Sequence, residues 1–166
     1  MAPERAVSLV LAELARQIRL DLQAIEAEAA ELARGRAAAQ EPDSVWLAFL
    51  AVHLDRFYTA AEATFERTFR ALGEPLPVGD HWHHIALHQA SLAIQDVRPA
   101  VIGGDTETRL QPLLKFRHWL RHAYRTPFEW SLMSPVVDAV PDALRGLQRD
   151  LAEFLRWIDA TGETRD

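Results

Sequence analysis

The spacing of apolar residues constrains this chain more than any other feature. Val7, Val10, Leu11, Leu14, Ile18, Leu22 and Ile25 recur at three- and four-residue steps, and an α-helix brings such positions onto one face. The pattern predicts an amphipathic first helix from about Glu4 to Ala33, ending near Gly35. Pro42-Asp43-Ser44 breaks the chain and offers cap oxygens for a second helix. That helix carries Val45, Phe49, Val52, Phe57, Ala60, Ala61, Phe65 and Phe69 and stops around Leu72-Gly73. Residues 73–79, rich in glycine and proline, predict a loop. Asp80 is the expected cap of a third helix of about 15 residues, which ends before Arg98-Pro99 because proline disfavours helix at the preceding residue. Ile102-Gly103-Gly104-Asp105 forms a second predicted loop, with Asp105 or Thr106 capping a fourth helix from Glu107 to Arg125. Thr126-Pro127 ends it. A last helix is expected from Val136 to Ala160, with Leu144, Leu147, Leu151, Phe154, Leu155 and Ile158 facing inward. No strand alternation or internal repeat interrupts this series. The fold class expected is all-α, an antiparallel bundle of about five helices.

At 166 residues the chain is long enough to bury most of its apolar surface in one domain. The expectation is a single domain over residues 1–166, with a polar, frayed tail from Thr161. Cysteine is absent, which removes disulfides, thiolate metal sites and cysteine nucleophiles and suits the cytoplasm. Glu13, Arg16, Arg19 and Asp21 make the N-terminal stretch too charged for a signal peptide or membrane span. A formal net charge of −6 argues against coating long nucleic acid non-specifically, yet leaves room for a small basic cleft acting on RNA.

One segment runs against that acidic balance. The thirteen residues from Leu113 to Arg125 contain Lys115, Arg117, Arg121, Arg125, His118, His122 and Tyr124, and no carboxylate. At about 100° per helical residue, Leu113, Phe116, Leu120 and Ala123 make an apolar stripe toward the core. Arg117, Arg121 and Tyr124 share a second face, and His118, His122 and Arg125 a third. Arg117 and His122 lie about 140° apart, so they flank a groove rather than stack. Such a set suits RNA cleavage without a metal. The 2′-hydroxyl must lose a proton as it attacks phosphorus, and the leaving 5′-oxygen must gain one. Histidine does either near neutral pH. Arginine presents a fixed fork of donors to phosphate oxygens, and a tyrosine stacks on a base or bonds a phosphate. A second helix copy across a two-fold axis would bring both polar faces together. The plainer reading is a solvated basic face over a core, with Phe116 and Trp119 as core or interface residues and Arg125 complementing the helix dipole.

Two other clusters compete. His81, His84 and His88 in Asp80-His81-Trp82-His83-His84-Ile85-Ala86-Leu87-His88 fall on one helical side, so a transition-metal site is one reading; no HExxH pattern accompanies it. The plainer one has Trp82 and His83 packing at a helix start. Asp55, Glu62 and Glu66 on the second helix are expected to form a solvated face beside Arg67, since the paired Glu-x-x-His motifs of di-iron bundles are missing. Gly103-Gly104 follows no strand and is a turn, not a nucleotide fingerprint.

Arg117-His118-Trp119-Leu120-Arg121-His122 fits the Rx4–6H motif of HEPN-domain ribonucleases, and Ala123-Tyr124 extends it to Rx4HxY. In this the chain resembles HepT-like toxins. The flanking Trp82-His83, Arg98-Pro99 and the run from Thr106 into Phe116 agree, so the resemblance spans about residues 5–160. It implies an all-α homodimer with both motifs lining one cleft and a metal-independent endoribonuclease acting as a toxin, with no cofactor. It also implies a minimal nucleotidyltransferase (MNT) antitoxin that places AMP on the motif tyrosine. Carried over, Arg117 and His122 are catalytic, His118 assists, and Tyr124 is the modified residue. Arg121, Tyr124 and Lys115 are candidate RNA contacts. Arg125 departs from the glycine expected in close relatives, while His122 retains an imidazole where others carry Asn. The competing class is a non-catalytic helical module that binds a nucleotidyltransferase or another partner through the same basic groove.

Overall fold

A computed structural model describes residues 3–38, 42–122 and 127–163 as five helices: α1 (Pro3–Ala38), α2 (Ser44–Ala71), α3 (Trp82–Ser91), α4 (Gly104–His122) and α5 (Trp130–Glu163). No strand occurs among the described residues; Ile94 and Arg98 share one isolated bridge. The molecule is the all-α bundle its periodicity implies. α1 lies along both α2 and α5, α4 packs on α5 and α2, and the short α3 crosses α2 and α4. Ile18 and Ile25 of α1, Phe57 and Phe65 of α2, Leu110 of α4 and Leu147 of α5 meet in one core, all fully buried. Helix α2 starts as expected: the Asp43 carboxylate accepts from the Val45 and Trp46 amides, both at 3.0 Å. Such a cap contributes about 1 kcal/mol.

The boundaries differ from the sequence reading where tertiary contacts take over. α1 continues past Gly35 to Ala38. Gly35 stops nothing; a Cβ there would lie 2.8 Å from Leu50 Cδ2, so glycine permits the close approach of α2. The extra turn is tied to α5 by Arg36, which donates to Asp138 at 2.9 Å and covers the Trp130 ring. Val7 and Val10, expected inside, are 37% and 45% exposed. Arg67 anchors α2 to Asp21 of α1, and α2 ends at Ala71, so the first turns of α1 outrun it.

α3 is shorter than expected, 10 residues, and Asp80 does not cap it; His81 occupies the cap position without a side-chain bond. Its early end at Ser91 has a cause outside the helix. The fully buried Arg98 guanidinium donates to the Gln89 and Leu92 carbonyls while pairing with Glu74 through Nη2 at 2.9 Å. A buried cation on the terminal carbonyls satisfies groups that another helical turn would otherwise take. α4 begins three residues before the predicted Glu107, and neither Asp105 nor Thr106 serves as its cap. Asp150 of α5 does that work from across the bundle, accepting from the Gly103 amide at 2.7 Å and the Thr106 hydroxyl at 2.5 Å. Helix α5 starts at Trp130, not Val136, and passes through Pro135 and Pro141. Proline inside a helix costs about 3 kcal/mol; burial of Met133, Val137 and Val140 beside those prolines offsets it.

Candidate functional site

The apolar stripe of α4 decides where its polar residues go. Leu113, Leu114 and Phe116 are buried, which turns Arg117 toward α2 and leaves His118, Arg121 and His122 at the surface. Leu114, Arg117, His118, Arg121 and His122 line one cavity of about 430 Å³. Asp80 and His83 close it from the loop before α3 and from α3 itself. Four predicted site residues on two helical faces thus share one cleft. Lys115 is exposed and is not among the lining residues. Tyr124, together with Ala123 and Arg125, lies outside the described residues.

Arg117 is not an open phosphate fork. Its side chain is 5% exposed, and Nη2 lies 3.2 Å from Glu62 Oε1, itself 4% exposed. Nε donates to the Thr59 hydroxyl at 3.2 Å and stands 3.5 Å from Asp55 Oδ1. That Asp55 oxygen has no hydrogen bond among the described residues, so its tie to Arg117 is Coulombic. The guanidinium also covers the Tyr58 ring at 5.8 Å. Burial, reinforced by the Glu62 charge and opposed by Arg117, pushes the Tyr58 hydroxyl well above the usual phenol range, so Tyr58 stays neutral.

Glu62 is a correction to the sequence reading. It was expected on a solvated face beside Arg67; it is buried between Arg117 and His83, while Arg67 turns to Asp21 at 2.8 Å. Its second oxygen meets His83 Nδ1 at 2.6 Å. A carboxylate only accepts, so this nitrogen carries the hydrogen. Arg117 Nη1 is 2.9 Å from the same nitrogen, a contact rather than a second hydrogen bond, because that position is already donating. The Trp82 indole stacks on the His83 ring at 3.7 Å and fixes its plane. Trp82 and His83 do pack at the helix start, as the plainer reading has it, and His83 faces the cleft as well. The signal that could have found Glu62 is its register. It stands one residue from the buried Ala61 and three before Phe65, on the inward side of α2.

His122 donates from Nδ1 to the His118 carbonyl at 2.7 Å, since a carbonyl oxygen only accepts. The two rings stack at 4.5 Å. With Nδ1 committed to that carbonyl, Nε2 is the His122 ring nitrogen left to face other partners. Arg121 is half-exposed, its Nε 4.0 Å from Asp55. The other histidines of the α3 segment stay apart: His81 and His84 are exposed, and His88 bonds Glu107 at 3.0 Å. Among the described residues no three His, Cys, Asp or Glu side chains converge into a metal-binding group.

A five-helix bundle with an Arg–His cleft along the C-terminal half of its fourth helix is consistent with the HEPN class of fold. The comparison with family models agrees: the model of the HepT-like protein family matches residues 49–158, about two thirds of the chain and all of the cleft. The chain belongs to the HepT-like family of the HEPN superfamily. No curated protein and no solved structure matched it. Among the described residues no helix is long and apolar enough to cross a membrane.

Proposed function

We propose that this protein is a metal-independent endoribonuclease, the toxin of a HEPN/MNT pair. The observation that carries the reading is the gathering of Arg117, His118, Arg121 and His122 around one cavity. In this reading the 2′-hydroxyl attacks the adjacent phosphorus, His122 exchanges a proton with the reacting oxygens, His118 braces it, Arg121 meets the phosphate, and the buried Arg117 adds its positive charge from behind the cleft wall. Two copies pair along α4, so that each motif completes the other's cleft. The functional unit is one domain, residues 1–166, working in the cytoplasm where its RNA and its antitoxin are found. A nucleotidyltransferase antitoxin adds AMP to Tyr124 and blocks the cleft; Lys115 contributes at most a peripheral contact with RNA. The test is cleavage of total RNA by purified protein in excess chelator. Cleavage that disappears in His122→Ala, and in an Arg117→Ala protein shown by its melt to be folded, supports the reading, and unchanged RNA in all three samples sinks it. Mass spectrometry after incubation with a cognate nucleotidyltransferase and ATP should show gains in multiples of AMP, absent in Tyr124→Phe.

One observation favours the second reading, a non-catalytic module that binds its nucleotidyltransferase through the groove. The Arg117 charge is already met by Glu62 and Asp55, as a purely structural arginine's would be. Under that reading the nucleotidyltransferase still binds, and RNA is untouched.

A further inference from the structure

The motif on α4 leaves one imidazole of the cleft without a role. His83 comes from α3, lines the same cavity as His122, and its side chain is 20% exposed. Among the described residues it is also the only cleft histidine held by a carboxylate. Glu62, 4% exposed, takes its Nδ1–H at 2.6 Å, so Nε2 is the nitrogen left for proton exchange. Arg117 Nη1 also stands 3.4 Å from that Nε2, too long for a strong bond. A buried carboxylate on Nδ1 orients an imidazole and stabilises the imidazolium that forms on it.

The charges around His83 fit that role. From α2 come Glu62 and Asp55, from α4 the buried Arg117, and the more exposed His118, Arg121 and His122 stand at the rim with Asp80 of the preceding loop. The two α2 carboxylates outnumber the one buried guanidinium, so an imidazolium at His83 neutralises the set. His122, by contrast, has a neutral carbonyl on its Nδ1 and no carboxylate there among the described residues. The two imidazoles are thus suited to opposite halves of one reaction.

Building on the ribonuclease reading, we propose that His83 is the general acid of the cleft, that Glu62 is its positioning residue, and that His122 is the base. The 2′-hydroxyl gives its proton to His122 Nε2 as its oxygen bonds phosphorus. The P–O5′ bond breaks, its electron pair goes to O5′, and O5′ takes the proton from His83 Nε2. The products are a 2′,3′-cyclic phosphate and a 5′-hydroxyl. One proton is taken up and one released, and solvent resets both rings.

The experiment compares wild type, His83→Ala, His83→Gln and His122→Ala on total RNA and then on a short oligonucleotide containing the mapped cleavage linkage. The oligonucleotide is made with either an ordinary or a sulfur-bridged 5′-leaving group, which departs without a proton. His83→Ala should lower kcat on the ordinary linkage about 10²- to 10⁴-fold, leave KM unmoved, and recover most of the wild-type rate on the sulfur linkage. His122→Ala should stay slow on both. Glu62→Gln should move the alkaline limb of the kcat/KM profile to lower pH. The His83→Gln variant, whose amide can still donate to Glu62, should melt like wild type and share the rate defect. A His83→Ala protein that cuts at the wild-type rate, or stays slow on the sulfur linkage, overturns the assignment while the ribonuclease reading stands. A wild-type protein that cuts no RNA overturns both.

Discussion

Removing either member of the buried Arg117–Glu62 pair should unfold this protein more readily than any surface change. Their side chains are 5% and 4% exposed, so a lone survivor is a charge with little water to receive it. Breaking such a pair costs about 3–5 kcal/mol. The two directions are not equal. Glu62→Ala leaves Arg117 with Asp55 at 3.5 Å and Thr59 at 3.2 Å, which places it at the lower end. Arg117→Ala leaves Glu62, among the described residues, with His83 alone, which places it at the upper end. For a chain of this length each kcal/mol moves Tm by about 2–4 °C, so the single variants should melt roughly 6–20 °C low. Urea unfolding followed by circular dichroism gives the free energies directly. The double variant Arg117→Met/Glu62→Leu removes both charges and should be more stable than the additive sum of the single losses by about 1–3 kcal/mol. A loss under about 1 kcal/mol in either single variant, the level of an exposed ion pair, would refute the buried network. The outcome also governs activity assays, because an inactive Arg117→Ala protein proves nothing about chemistry until its melting is known.

Arg98→Ala should cost about 3–5 kcal/mol, since it strands the buried Glu74 and frees the carbonyls that end α3; denaturant unfolding checks it. Gly146→Ala should cost about 1–3 kcal/mol by overpacking, because its Cβ would fall 2.5 Å from Thr106 Oγ1, and Thr106 is held by Asp150; a melt within 1 °C of wild type would contradict this. Burial alone would raise the Asp150 carboxyl, but bonds from Arg149, Thr106 and the Gly103 amide outweigh it and hold the group below the usual range. Its contribution is therefore complete above the unfolded value of about 3.9 and is lost as pH falls through the lower folded value. Urea melts of wild type and Asp150→Asn should converge as the pH drops through that window, and a gap constant with pH would contradict the assignment.

Much of the architecture was legible because helix-forming information is local. The apolar spacing in Leu11, Leu14 and Ile18 and the Asp43 cap are written within a few residues of the structure they cause. Boundaries were legible only where the chain itself ends a helix. At Gly35, Ser91, Gly104 and Trp130 the decision came from another element: Leu50, Arg98, Asp150 and the core around Met133. The same division runs through the cleft. Arg117, His118, Arg121 and His122 stand within six residues of each other, so one helix turned by its apolar stripe was enough to group them. Glu62 and His83 lie 55 and 34 residues from Arg117 and have no local reason to meet it.

From its sequence alone this protein is a cysteine-free helical bundle with an Arg-rich, His-rich fourth helix, because periodicity and motif spacing are properties of neighbours along the chain. Tertiary structure alone decided that Arg117 is buried and paired, and that a carboxylate from α2 and an imidazole from α3 join it. Burial and ion pairing depend on which distant segments come together, and a burial cost of several kcal/mol per ion makes those encounters decisive for the charges in the cleft.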